Sequence, residues 1–230
     1  MRGGEWTVRS ALILALPLWL AGGLAVAQPT TGQQTYRVDP AASDIHWLVF
    51  KAGALARLGH NHVISVPKFS GTVTVDRGDL SASRFELEIP VASLVIDDPA
   101  LRSGLGEDFA SVPTADDIAG TRKNMLGDRV LDAAQFPVLK LSGTGPVGEA
   151  DHQMLHVQIE LVGHSVELDL PTTVVVDDSG LEAQGQFELN HSDLGLKPFS
   201  VMMGALQVAE KMSFSYRIRA EKTGGAADGP

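Results

Sequence analysis

Along most of this chain apolar side chains recur at every second position, a period that belongs to strands with one buried face. From Lys211 to Ala220, the residues Met212, Phe214, Tyr216 and Ile218 fall on one side, while Lys211, Ser213, Ser215, Arg217 and Arg219 fall on the other. The alternation recurs in Ile45, Trp47 and Val49; in Phe69, Val73 and Val75; in Phe85, Leu87 and Ile89; in Leu155, Val157, Ile159 and Leu161; and in Phe187 and Leu189. Each set is interleaved largely with polar side chains. Clusters of turn-forming residues separate the runs: Asp76-Arg77-Gly78-Asp79, Gly143-Thr144-Gly145-Pro146 and Asp177-Asp178-Ser179-Gly180. Strands joined by such connections are antiparallel neighbours, and about eight of them in one domain make a sandwich or a barrel.

The rhythm breaks between Asp97 and Phe136. Thr114 followed by Asp117 has the spacing of a capping box for a short helix through Met125, with Gly127 placed to end it in the left-handed conformation. Ile118, Met125 and Leu126 give that helix a modest apolar side. The segment reads as a long insertion carrying one helix, and such connections are either functional lids or loosely ordered loops.

Residues 1–27 have the pattern of an export signal: Arg2 and Arg9 ahead of an apolar run from Ala11 to Leu24, closed by Ala25-Val26-Ala27. The run is broken by Pro17 and falls short of the roughly 20 apolar residues that a spanning helix needs. The expected mature chain begins at Gln28, lies in the periplasm or outside the cell, and makes no stable membrane insertion. A polar lead-in (28–35), one domain (36–220) and a flexible tail (221–230) complete the expected organisation. The chain contains no cysteine, which excludes disulfides, thiolate metal ligands and a cysteine nucleophile. Its net charge of −10 disfavours nucleic acid and anionic membrane surfaces as partners.

Four motifs, in order, carry a family resemblance: Tyr36-Arg37-Val38-Asp39-Pro40; Phe69-Ser70-Gly71-Thr72-Val73-Thr74-Val75-Asp76; Leu131-Asp132-Ala133-Ala134-Gln135-Phe136-Pro137-Val138-Leu139; and Phe187-Glu188-Leu189-Asn190-His191-Ser192-Asp193-Leu194-Gly195-Leu196. Together they resemble the YceI-like family over roughly Tyr36 to Ala220. The resemblance implies an all-β, extended antiparallel lipocalin-like barrel of about eight strands with a helix-containing insertion. It further implies secretion to the periplasm and an apolar interior that holds an isoprenoid or similar amphipathic lipid. On the residues alone, a small closed barrel either fills itself with side chains or encloses a ligand cavity; the resemblance favours the cavity. Ligand contacts then fall to Trp47, Phe69, Phe85, Leu87, Phe187, Leu189, His191 and Phe214.

The chain departs from the family pattern in its histidines. His191 stands where the family usually has Arg, Gly59-His60-Asn61-His62 replaces a short Gly-containing turn, and Ala42 stands where His is common. On a strand, His60 and His62 share a face about 7 Å apart along the chain, close enough to share a zinc or copper ion. His191 has the inward parity of Phe187 and Leu189 and is the candidate third ligand, with Asp193 and His164 further off; haem is an alternative occupant. Taken singly, each histidine has an ordinary reading: a turn side chain for His60 and His62, and an imidazole satisfied by a backbone carbonyl for His191. His152 and His156 fall on the polar face of their strand.

Catalytic signatures are missing. The sequence has no Gly-x-Ser-x-Gly elbow, no His-Glu-x-x-His and no phosphate-binding Gly-rich loop. Asp97-Asp98, Asp116-Asp117 and Asp177-Asp178 read as turn and capping residues. The leading expectation is therefore a lipid-binding carrier rather than an enzyme. A histidine-based metal or haem binder is the first alternative, and a hydrolase of a lipid-like substrate the second.

Overall fold

The computed structural model of the chain describes residues 32–149 and 152–223. The expected export signal, 1–27, and the end of the expected tail, 224–230, lie outside the described residues. In chain order the elements are β1 (Gln33–Val38), β2 (Asp44–Ala52), β3 (His62–Ser65), β4 (Ser70–Asp76), β5 (Arg84–Pro90) and β6 (Val95–Ile96), then helices α1 (Pro99–Arg102) and α2 (Ala115–Leu126). They continue with β7 (Val138–Val147), β8 (Gln153–Leu161), β9 (His164–Val176), β10 (Leu181–Asn190), β11 (Ser200–Val201) and β12 (Leu206–Lys222).

Eight of these strands, in the order β1-β4-β5-β7-β8-β9-β10-β12, close on themselves as an antiparallel barrel, because β12 also pairs with β1 through Tyr36 opposite Lys222 and Val38 opposite Ala220. The long last strand makes this possible. One of its edges is covered by β10, and the other first by β2 and then by β1. Between those two strands the chain turns through Pro40–Ala42, where the Asp39 carboxylate accepts the Ala41 N–H at 2.9 Å and the Ser43 hydroxyl donates to the Asp39 carbonyl at 2.6 Å. β3 and β6 extend the sheet outward from β2.

Register explains why the alternation works. Phe187 on β10 stands opposite Phe214 on β12, which stands opposite Trp47 on β2, so three adjacent strands send an aromatic ring to the same face. The Phe187 and Phe214 rings stack at 5.2 Å between centroids, and Phe214 and Trp47 at 6.0 Å, within the range of favourable aromatic pairs. Leu87 faces Leu141 across β5 and β7, which faces Ile159 on β8.

Three local readings need correction. Gly143-Thr144-Gly145-Pro146 is not a turn; it lies within β7, where the pairing to β8 shifts between Thr144 and Val147. The reason is close packing. A Cβ at Gly143 would collide with the His156 carbonyl oxygen and come within 2.7 Å of the Phe85 ring. The capping box of α2 is present as expected, with Thr114 and Asp117 each accepting from the other's backbone N–H, and Ile118, Met125 and Leu126 pack on the core. Gly127, however, ends the helix in extended rather than left-handed backbone, at φ −74° and ψ 169°. Its carbonyl instead accepts from Val130 and Asp132 at 3.1 and 2.9 Å, which anchors the following turn. Finally, β1 begins at Gln33 and β12 runs to Lys222, so part of the expected polar lead-in is paired with β4 and the first two residues of the expected flexible tail are paired with β1.

Candidate functional site

The barrel encloses a cavity of about 640 Å³, within the roughly 300–1,000 Å³ typical of small-molecule sites. Its wall consists mainly of the alternating aliphatic and aromatic side chains of the strands. Trp47, Phe85, Leu87, Phe187, Leu189, Phe214 and His191 all line it. Phe69 does not: it precedes β4 and is buried in the packed core at 6 % exposure, away from the cavity lining.

At one end the wall becomes polar. Helix α2 lies across this end and contributes Asp116, Asp117, Gly120, Thr121, Asn124 and Met125 to the lining, opposite His60 and His62. The Asp97 carboxylate is the fixed point beneath them, its side chain 1 % exposed. One oxygen lies 2.6 Å from His62 Nδ1; the other accepts from the Val63 N–H at 3.0 Å and from Arg102 Nη1 at 2.6 Å. Burial pushes the Asp97 carboxyl up, but the His62 and Val63 hydrogen bonds, with the charges of His62 and Arg102, outweigh it and hold the group below its ordinary value. Asp97 is therefore ionised and can only accept, so His62 carries its proton on Nδ1. The residue adopts a left-handed φ of 55°, uncommon for a side chain other than glycine.

Arg102 is spent in holding this arrangement. Besides Asp97, its guanidinium donates to the Asn61 carbonyl at 2.8 Å and to the Ser111 carbonyl at 3.2 and 2.6 Å, and it lies over the Phe109 ring at 5.3 Å. The other face of the imidazole, His62 Nε2, receives the Thr121 hydroxyl from α2 at 3.3 Å. His60 lies just before β3 rather than on it; its Nε2 is 3.6 Å from Asp117, and its Nδ1 is 3.4 Å from the Ser111 hydroxyl.

His60, His62 and His191 do not form a ligand set. The rings of His60 and His62 approach to 6.2 Å; His62 Nδ1 lies on Asp97, and His191 Nδ1–H donates to the Glu210 carbonyl at 2.9 Å, on strand β12. Among the described residues no group of three or more His, Cys, Asp or Glu side chains is arranged to hold a metal ion. His164 Nε2 lies 2.9 Å from the Leu194 carbonyl, and His156 is exposed beside Asp169 at 3.0 Å. Sequence reasoning missed Asp97, Arg102 and Thr121. Asp98, the neighbour of Asp97, does act as a cap, accepting the Ala100 and Leu101 N–H groups of α1, and nothing local separates the two aspartates.

Fold and site together define a cavity-containing antiparallel β-barrel, mainly apolar within, with polar side chains of α2 beside His60 and His62. Residues 36–220 match the YceI-like domain, and the chain belongs to that family. Its fold is similar to that of Burkholderia cenocepacia BcnA, with a TM-score of 0.57 at 16% sequence identity, over 80% of this chain and 99% of that one. It is also similar to a mutant form of the Campylobacter jejuni YCEI protein, with a TM-score of 0.50 at 9% identity, over 70% of this chain and 85% of that one. No curated protein matches the chain significantly in sequence. Among the described residues no helix is long and apolar enough to cross a membrane.

Proposed function

We propose that this protein is a periplasmic binding or carrier protein that holds an isoprenoid or similar amphipathic lipid inside the barrel. The observation that carries this reading is the cavity, about 640 Å³, with a mainly apolar wall and the polar side chains of α2, His60 and His62 together in its lining. An elongated apolar tail in such a wall leaves water at roughly 25 cal/mol for each Å² buried, while a polar head at the α2 end keeps its hydrogen bonds. Family membership supports a lipid-binding barrel, and the leader pattern of residues 1–27 supports export. The role is one of binding rather than turnover.

Native mass spectrometry of protein purified from the periplasm, followed by organic extraction, tests this reading. A stoichiometric lipid released by solvent is the expected result. Protein that is free of lipid and takes up none from a mixed lipid extract would sink it.

A further inference from the structure

We propose that the polar end of the cavity, formed by His62 Nε2 and the Thr121 hydroxyl, is a headgroup subsite for an amphiphile ending in a neutral hydroxyl. This inference rests on the lipid-binding reading above and names the head of the ligand that reading leaves open.

The argument is one of donors and acceptors. Because Nδ1–H is donated to the buried Asp97 carboxylate at 2.6 Å, Nε2 is the ring nitrogen left facing Thr121, and in the imidazole form of the ring it is a bare acceptor. Thr121 Oγ1 stands 3.3 Å from that nitrogen, and both residues line the cavity. The contact is at the long end of the hydrogen-bond range, so a ligand oxygen gives each partner a shorter bond. A hydroxyl fits between them in both directions, donating to Nε2 and accepting from Thr121. An ether or a ketone can accept but cannot donate, and it leaves Nε2 facing an oxygen lone pair.

The surrounding charges select against an anionic head. Arg102 is paired with Asp97 and also donates to the backbone carbonyls of Asn61 and Ser111. His60 faces Asp117, and the carboxylates of Asp116 and Asp117 line the same end. The lining also includes Lys51, whose exposed ammonium donates to the Gly59 carbonyl at 3.0 Å, and Arg84, the first residue of β5. A phosphate entering here meets the carboxylates of Asp116 and Asp117, while the Arg102 guanidinium is already paired with Asp97.

Equilibrium dialysis of the full chain with radiolabelled farnesol, farnesyl methyl ether and farnesyl phosphate tests the subsite. Farnesol should bind about tenfold tighter than the ether, the scale of one hydrogen bond, and tighter than the phosphate. His62→Asn keeps a donor toward Asp97 but removes Nε2, and it should bring the farnesol-to-ether ratio close to one while ether affinity is retained. Thr121→Val, which leaves the Asp97 contacts intact, should lower the same ratio. Thermal melting confirms that each variant is folded. Equal binding of alcohol and ether by the native chain, tightest binding of the phosphate, or an unchanged ratio in folded Thr121→Val and His62→Asn would overturn the subsite and leave the lipid cavity standing. Failure of all three ligands to bind would count against the lipid reading itself.

Discussion

Asp97 and His62 meet across 35 residues of chain, with 2.6 Å between carboxylate oxygen and Nδ1. That contact ties the insertion to strand β3 and fixes the imidazole that faces the cavity. Because Arg102 donates to the same carboxylate, the three side chains form a buried charged unit whose members depend on one another.

Asp97→Ala should be severely destabilising. It leaves Arg102, 7 % exposed, as a buried cation without its counter-charge, a loss of about 3–5 kcal/mol. Asp98→Ala removes only a helix cap and should cost about 1 kcal/mol. Urea unfolding of the two variants side by side should separate their midpoints clearly.

The same carboxylate sets an acid limit. Its value in the folded protein lies below the ordinary 3.8, so its contribution to stability is fully present above that value and is lost as pH falls through the depressed folded value. Stability should therefore decline from about pH 5 downward, and Asp97→Asn should flatten part of the decline. Asp76, Asp117, Asp177 and Glu210, also held low by hydrogen bonds at the surface, keep some slope in the variant. Chemical denaturation at a series of pH values measures the difference.

Phe187→Asp should abolish lipid retention or folding, whereas Glu88→Lys should do neither. The first places a carboxylate in the aromatic stack with Phe214, where desolvation costs several kcal/mol. The second changes an exposed side chain, 3.9 Å from Lys140, on the outer face. Equal tolerance at both positions in a melting and lipid-extraction assay would contradict the cavity wall described here.

Gly143→Ala should destabilise the barrel by about 1–3 kcal/mol, because the new methyl group meets the His156 carbonyl and the Phe85 ring. Phe85 lines the cavity, so ligand affinity should fall with stability. Calorimetry of the lipid-free and loaded protein resolves the two effects.

Thr114→Ala removes half of the capping box of α2, a loss of about 1 kcal/mol. Since α2 covers the polar end of the cavity, amide exchange should quicken first within 115–126, and lipid exchange should accelerate with it.

Much of the barrel is legible in the sequence because strand periodicity is a local property. Met212, Phe214, Tyr216 and Ile218 share a face through chain geometry alone, and all four line the cavity. Thr114 and Asp117 announce α2 for the same reason. Gly143 is misleading because a glycine that admits a neighbouring ring looks, in sequence, like a glycine that makes a turn. Phe69 has the inward parity of Val73 and Val75, but it precedes the paired strand, where alternation no longer dictates direction. His60 likewise falls outside β3. The unit of Asp97, His62 and Arg102 was beyond sequence reasoning, since its partners come from separate segments and its chemistry arises only when burial makes one aspartate unlike its neighbour.

The reach of strand β12 has a consequence for how the protein comes into being. Thr35 and Thr223, which join through a hydrogen bond at the seam, are 188 positions apart, so the ring is completed by the last of its eight strands in chain order. Until β12 docks against β10, β2 and β1, the apolar wall is an open trough, and contacts this distant in sequence form slowly. The folding chain thus passes through a stage at which a long, water-insoluble molecule can be laid in from the side. After closure, exchange is restricted to the ends of the barrel. Cargo acquired during folding and cargo acquired afterwards would therefore enter by different routes, and a chain refolded in the absence of lipid should load more slowly than one refolded around it.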